Sequence, residues 1–242
     1  MSRVLLIKNA NLYDPDPKGI RDILIVDEKV FSVAEHIDPP ELSVPVEVVS
    51  ADGKTVIPGY VDQHVHVIGG GGEAGPYSRT PEGFGSDVST AGGTTVIGVL
   101  GTDGTGCHPE SLLAKVRGLE TEGISAYMLT ASYEIPLKTM TGDARRDIVL
   151  IDKVLGIGEI ALSDHRSSQP TKDELKRILT QARLGGMLSA KAGVVQFHMG
   201  IGKNGIQMLF DILDETEIPA CHMIPTHVNR APHLFEQAKE LA

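Results

Sequence analysis

The pattern of apolar and polar positions divides this chain at about residue 55. Before that point, short β-prone apolar runs are separated by turn-forming Asp, Pro and charged residues; the runs are residues 4–7, 23–26 and 31–34. They predict a small β-sandwich-like domain, of which residues 1–55 form the N-terminal part.

After residue 55, strand-like apolar runs alternate with amphipathic helical patterns. The strand candidates are residues 55–66, 95–100, 125–132, 159–163, 194–198 and 223–228. The clearest helix is predicted over residues 171–184, where Thr171 and Glu174 form a capping box and Gly185-Gly186 end the apolar stripe. Further helices are predicted after Thr80-Pro81, from Pro109, over residues 204–216 and over residues 231–242. Strands that alternate with helices indicate an α/β fold with a parallel sheet.

The positions of polar residues favour a closed barrel over an open sheet. Polar side chains follow the first, fourth, fifth and sixth strand candidates. A barrel gathers the carboxyl ends of all its strands at one mouth, whereas an open sheet spreads them along a crevice. We therefore predict a (β/α)8 TIM-type barrel over residues 56–242. A complete barrel takes about 250 residues and six βα units are found, so we expect the last two units to lie beyond Ala242.

Four histidines follow the strand candidates and predict a metal site. His64 and His66 are two residues apart, so in an extended strand both imidazoles point to the same face. His198 and His227 each end a later strand candidate. Taken singly, each is better explained as a packed or surface histidine, but together with His64 and His66 at one mouth they are better explained as metal ligands. Four imidazoles and a bridging carboxylate suit a pair of Zn²⁺-like ions. Two such ions sharing one hydroxide would hold both the nucleophile and the carbonyl oxygen of an amide.

A glycine-rich loop follows the first histidine pair. Gly69 to Gly72 are four consecutive glycines, which let backbone amides approach a ligand closely. Because no Gly-Lys-Ser/Thr follows, a phosphate-binding loop is not indicated. Glu73 comes next; its residue type could bind a substrate ammonium, but the loop alone favours a solvated carboxylate.

The composition narrows the choice of partner and compartment. The formal net charge of −10 argues against a nucleic-acid partner, whose phosphates require a basic surface. Cys107 and Cys221 alone are no disulfide framework. The chain has no signal-peptide pattern and no run of apolar residues as long as a membrane span. We therefore expect a cytoplasmic protein with no membrane partner.

A series of motifs runs in order along the whole chain: Asp62-Gln-His-Val-His66, Gly69-Gly-Gly-Gly-Glu-Ala-Gly-Pro76, Gly101-Thr-Asp103, Leu129-Thr-Ala-Ser-Tyr133, Ser163-Asp-His-Arg166, Phe197-His-Met-Gly200 and Pro225-Thr-His-Val-Asn-Arg230. Together these motifs resemble the isoaspartyl dipeptidase (β-aspartyl peptidase) family of the metal-dependent amidohydrolase superfamily. The chain resembles the N-terminal two-thirds of the members of that family.

The resemblance implies a set of residue roles. His64 and His66 would bind one divalent ion and His198 and His227 the other, with Zn²⁺ as the expected metal. The substrate α-ammonium would lie among Gly71, Glu73 and Thr102, and the two substrate carboxylates would bind Arg166 and Arg230. Tyr133 would donate to the developing oxyanion. The implied activity is hydrolysis of the isopeptide bond of β-aspartyl dipeptides by a homo-oligomeric enzyme.

Two departures from the family matter. Glu159 stands where the family has the carbamylated lysine that bridges its metals, and the glutamate side chain is several bonds shorter. A glutamate bridge therefore requires the backbone to lie closer to the ions. The family's metal-binding aspartate on the eighth barrel strand is expected beyond Ala242.

Two alternatives stay open at this point. One is a cyclic-amide hydrolase of the same superfamily, similar to dihydroorotase or hydantoinase. Such enzymes need no pocket for a free ammonium, so the loop that carries Glu73 argues against them. The other is a truncated, non-catalytic metal-binding fragment, whose open barrel would expose unpaired strand edges.

Overall fold

The computed structural model describes residues 3–242, and the chain groups into two compact units, Met1–Gly59 and Tyr60–Ala242. The first unit contains a mixed five-stranded sheet, where a sandwich-like arrangement was predicted. Its strands are β1 (Val4–Asp14), β2 (Asp16–Val26), β3 (Lys29–Ala34), β4 (Val46–Ser50) and β5 (Thr55–Val56). β1 pairs antiparallel with β2 and parallel with both β4 and β5, and β2 pairs antiparallel with β3.

Asp22, buried in β2, joins three parts of the first unit. Its Oδ1 accepts a hydrogen bond from the Asn9 amide at 2.9 Å, and its Oδ2 accepts one from the Ile37 amide at 2.9 Å. Lys8 Nζ lies 2.7 Å from the same Oδ2. The Lys8 hydrogen bond lowers the pKa of Asp22 to about 2, against the opposing effect of burial.

Replacing Asp22 by Asn is expected to destabilise the first unit by about 1–3 kcal/mol, because the amide nitrogen cannot accept the second backbone hydrogen bond. The pKa of Asp22 in the folded protein, about 2, lies below its ordinary value of 3.8. The carboxylate therefore stabilises the fold above pH 3.8, and its contribution is lost as the pH falls towards 2. Urea unfolding should show a difference between wild type and Asp22→Asn that is full at pH 7 and shrinks in acid.

The matched control is Asp38→Asn, which changes an exposed carboxylate of the same unit in the same way. Its unfolding midpoint should stay at the wild-type value. Equal midpoints for the two variants at pH 7 would contradict the anchoring role of Asp22.

The second unit is a parallel sheet with helices between its strands. The strands are β6 (Tyr60–Val65), β7 (Gly93–Gly98), β8 (Ser125–Thr130), β9 (Val154–Leu162), β10 (Val194–Met199) and β11 (Met223–Thr226). The helices are α1 (Gly85–Thr90), α2 (Pro109–Thr121), α3 (Ala144–Leu150), α4 (Lys172–Ser189), α5 (Gln207–Glu215) and α6 (Pro232–Leu241). The strands lie side by side in chain order, and every neighbouring pair is parallel. The predicted α/β fold, a partial (β/α) barrel of six units after a small β domain, is confirmed.

The sheet curls as a barrel wall does. β6 and β10 are four strands apart in the sheet, which corresponds to roughly 19 Å in a flat sheet. The side chains of His64 on β6 and Gln196 on β10 nevertheless meet, with His64 Nδ1 3.0 Å from Gln196 Oε1. The interior of this half-barrel therefore brings together residues from strands that are not neighbours.

Several predicted element boundaries were wrong. Helix α4 has the predicted capping box at Thr171, but it continues through Gly185 and Gly186 to Ser189. A Cβ on Gly185 would lie 3.0 Å from Ile148 Cβ, and one on Gly186 would lie 2.6 Å from Gly193 Cα. These glycines therefore allow close packing inside the helix and do not end it.

Two further boundaries differ for related reasons. Strand β9 begins at Val154, five residues before the predicted start. Gly156 lies inside this strand, and a Cβ there would lie 2.2 Å from Val194 O on β10, so its lack of a side chain allows the two strands to pack closely. Helix α1 begins at Gly85 and not after Pro81. Helix α3 was not predicted. No helix within residues 3–242 combines the length and the apolar character needed to cross a bilayer.

Candidate metal centre and substrate cleft

The four predicted histidines lie together at the carboxyl ends of the barrel strands. His64 is on β6 and His66 follows it, His198 is on β10, and His227 follows β11. The ring centroids of His64 and His66 are 5.3 Å apart, those of His64 and His227 are 5.0 Å apart, and those of His198 and His227 are 4.6 Å apart. The curvature of the half-barrel thus gathers side chains that are far apart in the chain, from His64 to His227.

The carboxylate of Glu159 lies among these rings. Its Oε2 is 3.4 Å from His64 Nε2 and 3.9 Å from His66 Nε2. Its Oε1 is 3.0 Å from His198 Nδ1 and 3.6 Å from His227 Nε2. One carboxylate oxygen faces each pair of histidines, and these are the two pairs that the resemblance assigns to separate ions.

A β-bulge brings the short side chain of Glu159 into this position. Gly158 pairs with Gln196 on β10, but the next residue of β10, Phe197, pairs with Ile160. Glu159 is therefore the extra residue on β9, and bulges of this kind bend a strand and redirect a side chain. At this bulge the Glu159 carboxylate lies within 3.0–3.9 Å of all four histidine rings.

The unsatisfied polar atoms of this cluster fit a divalent metal. Among the described residues, His64 Nε2, His66 Nδ1 and Glu159 Oε2 are buried without a hydrogen bond, although buried polar atoms in proteins almost always have one. His64, Glu159 and His227 offer ligand atoms that all lie within 4.8 Å of one another. Imidazole nitrogen and carboxylate oxygen are the donors that zinc and similar ions take in proteins.

Electrostatics keep the central carboxylate ionised. Glu159 is completely buried. Burial alone would raise its pKa, but the hydrogen bonds from His198 and His227 outweigh burial and hold the pKa of Glu159 far below its ordinary value. The carboxylate is therefore anionic, as metal binding requires.

Gln196 orients one of the histidines, and the sequence analysis did not single it out. Its Nε2 donates to the Gln63 carbonyl at 3.2 Å, so its Oε1 is the acceptor that faces His64 Nδ1. His64 therefore carries a proton on Nδ1, and its Nε2 is available as a metal ligand beside Glu159. A buried amide within the apolar run of β10 was the available sequence signal.

Replacing Gln196 by Leu is expected to weaken metal binding by about 10–100-fold, the usual cost of removing the partner behind a metal-ligating histidine. Competition with a chelating dye measures this affinity. Gln207→Leu, an identical change on the exposed face of α5, is the control and should keep wild-type affinity. Wild-type affinity in Gln196→Leu would contradict the orienting role.

The predicted substrate-binding residues surround the same mouth. Arg166 Nη1 lies 2.6 Å from Glu73 Oε1, and Arg166 Nη2 lies 2.8 Å from His198 Nε2. Arg230 Nη1 is 3.0 Å from the same His198 Nε2. Tyr133 OH is 2.5 Å from His198 Nδ1, and burial raises the pKa of Tyr133 so that it remains a phenol able to donate.

Asp164 holds Arg166 in place and was missed by the sequence analysis. It receives two hydrogen bonds from the guanidinium, Nε to Oδ1 at 2.9 Å and Nη2 to Oδ2 at 2.8 Å. These hydrogen bonds hold the pKa of Asp164 well below its ordinary value. The spacing of two residues within the Asp164-His-Arg166 run was the available signal.

Glu73 also borders a cavity of about 370 Å³, which Gly71 and Thr102 help to line. The glycines that precede these two residues pack against a metal-site histidine. A Cβ on Gly70 would lie 3.2 Å from His66 Cγ, and one on Gly101 would lie 2.7 Å from His66 Cε1. The cavity and the histidine cluster are therefore adjacent.

Two solved structures are similar to this chain along its length. A β-aspartyl dipeptidase from Fervidobacterium islandicum AW-1, crystallised with a β-Asp-Leu dipeptide, superposes with a TM-score of 0.94 and is 48% identical over 100% of this chain. A second structure of β-aspartyl dipeptidase from that organism superposes with a TM-score of 0.94 at 49% identity over 98% of this chain. The chain is a homologue of β-aspartyl dipeptidase.

The extent of these similarities differs between relatives. The chain spans 62% and 65% of the two dipeptidase chains. A dihydroorotase from Anaeromyxobacter dehalogenans is 29% identical over 189 residues, which are 77% of this chain and 41% of that protein. No family model matches. Dihydroorotase is therefore a more distant relative of this chain than β-aspartyl dipeptidase is.

Proposed function

We propose that this protein is a metal-dependent hydrolase that cleaves the isopeptide bond of β-aspartyl dipeptides. The observation that carries the proposal is the position of Arg166, which contacts His198 of the histidine cluster and Glu73 at the mouth. Opposite charges beside a candidate metal centre suit a small zwitterion, and a β-aspartyl dipeptide carries one ammonium and two carboxylates. The β-Asp-Leu dipeptide in the homologue's crystal supports the same substrate class.

The chain offers ligands for two ions, with His64 and His66 on one side of Glu159 and His198 and His227 on the other. Zn²⁺ is the proposed metal, because the donors are imidazoles and one carboxylate. Such ions, when bound, lower the pKa of a water and polarise the carbonyl of the scissile amide.

The remaining residues bind and orient the substrate. Glu73 receives the ammonium, Arg166 and Arg230 receive the carboxylates, and the Tyr133 hydroxyl donates to the carbonyl oxygen as negative charge develops there. Without substrate, Glu73 and Arg166 pair with each other at 2.6 Å. A ligand with both charges can replace that ion pair by two new ones, whereas a ligand with one charge leaves Glu73 or Arg166 unpaired.

The second candidate function is hydrolysis of a cyclic amide, which the similarity to dihydroorotase favours. Cyclic amides of that class carry no free ammonium. Such a substrate would offer Glu73 no ammonium to bind.

A substrate panel on the full-length, zinc-loaded protein separates the candidates. We expect β-Asp-Leu to be hydrolysed at least about 100-fold faster, in kcat/KM, than α-Asp-Leu, dihydroorotate or hydantoin. Turnover of dihydroorotate without turnover of β-Asp-Leu would establish the second candidate. A protein that binds zinc and cleaves none of the four would be a non-catalytic metal-binding protein.

A further inference from the structure

Arg79 and Asp103 form an ion pair between the two loops that line the cavity beside His66. Arg79 ends the glycine-rich loop, and Asp103 follows Thr102 in the loop after β7. Neither belongs to the residues proposed above to touch metal or substrate. The pair nevertheless joins the loop that carries Glu73 to the loop that carries Thr102.

The glycine-rich loop is a small hairpin whose base is at Arg79. Gly71 and Arg79 form an antiparallel β-bridge, and the Gly72 amide donates to Ser78 O at 3.3 Å. At the tip, the Gly75 amide donates to Gly72 O at 3.0 Å and closes a turn that contains Glu73. The position of Glu73 therefore depends on where the base of the hairpin is held.

Asp103 is itself fixed by the loop around it. Its Oδ1 accepts hydrogen bonds from the Thr105 amide at 3.0 Å and from the Gly106 amide at 2.6 Å. The hydrogen bond from Gly106 is the main reason why the pKa of Asp103 lies below its ordinary value. The other oxygen, Oδ2, remains free to hold Arg79 Nη2.

Glycines make room for the side chain of Arg79 along its length. A Cβ on Gly72 would lie 3.2 Å from Arg79 Cγ. A Cβ on Gly106 would lie 2.3 Å from Arg79 Nη2 and 2.6 Å from Asp103 Oδ2. The Arg79 side chain thus lies along the hairpin beside Gly72, which precedes Glu73. It reaches Asp103 through space that is open because Gly72 and Gly106 have no side chain.

We propose that Arg79 and Asp103 are positioning residues, which hold Glu73 and Thr102 in the arrangement that receives the substrate ammonium. This inference rests on the proposed dipeptidase function. Without the ion pair the hairpin adopts other conformations as well. The apparent dissociation constant of the substrate then equals the intrinsic constant divided by the fraction of molecules whose hairpin is in the binding conformation. The metal ligands and Tyr133 lie outside both loops, so turnover of bound substrate stays the same.

The test compares Arg79→Leu, Arg79→Lys and Asp103→Asn in the full-length protein, with β-Asp-Leu as the probe. In Arg79→Leu we expect KM for hydrolysis, and Kd by calorimetry, to rise about tenfold, with kcat within twofold of wild type and metal content unchanged. Arg79→Lys retains the charge and should recover most of the affinity. Asp103→Asn retains the acceptor for the two loop amides and should behave as Arg79→Leu does. It therefore provides the same test if the Arg79→Leu protein fails to fold.

The control is Arg117→Leu. Arg117 is exposed on α2, and its Nη2 lies 3.7 Å from Asp152 Oδ1, so it loses an ion pair away from the cavity. We expect wild-type KM and Kd from it. Three results would overturn the positioning role while the dipeptidase function stands. They are a wild-type KM in Arg79→Leu, a fall in kcat in place of a rise in KM, and substrate binding in Arg79→Lys that is as weak as in Arg79→Leu. A wild-type protein that neither binds nor cleaves β-Asp-Leu would overturn both.

Discussion

Replacing Glu159 by Gln is expected to lower the affinity for divalent metal by more than about 100-fold and to abolish hydrolysis of β-Asp-Leu. Loss of a group behind a metal ligand already costs about 10–100-fold in affinity, and Glu159 is a proposed ligand between two pairs of histidines. Glutamine preserves the size of the side chain but removes the charge that faces all four rings. Metal analysis after dialysis and a kcat measurement give the two results.

Glu110→Gln is the matched control, because Glu110 is exposed in the first turn of α2. It should bind metal and turn over as wild type does. A Glu159→Gln protein that retains both ions would show that the four histidines hold them without a bridging carboxylate.

The second large effect is expected when Glu73 or Arg230 is replaced by Ala. Each would lose a charge-assisted contact with the substrate, and truncating one partner of such a pair typically costs about 2–5 kcal/mol. Even the lower figure corresponds to a fall of roughly 30-fold in kcat/KM for β-Asp-Leu. Metal content should not change, because neither residue is a proposed ligand.

Glu82→Ala and Arg145→Ala are the controls for this pair, since both remove exposed charges outside the mouth. Both should keep wild-type kcat/KM. Undiminished turnover in Glu73→Ala and Arg230→Ala would contradict the substrate assignment but would leave the metal centre intact.

The sequence predicted those parts of the site that depend on local periodicity. The spacing of His64 and His66 places them on one face of a strand, and polar residues after several strands indicate a common mouth. Both inferences require only the geometry of a single strand and the rule that parallel strands end on the same side. The half-barrel and the gathering of His198 and His227 followed from them.

The parts that depend on contacts between distant strands could not be predicted. The bulge that turns Glu159 inward exists only in the pairing of Gly158 and Ile160 with β10. Gly185 and Gly186 were predicted to end helix α4, but in the structure they are points of close packing inside it. The roles of Gln196 and Asp164 likewise depend on partners that the fold supplies.

The proposed function depends on the four histidines and Glu159 forming one metal centre that performs the hydrolysis. The most direct test is titration of metal-free, full-length protein with Zn²⁺ while metal stoichiometry and β-Asp-Leu turnover are followed together. We expect two bound ions per chain and turnover that rises from zero with their occupancy. Full turnover in metal-free protein, or two bound ions in a protein that never cleaves β-Asp-Leu, would contradict it.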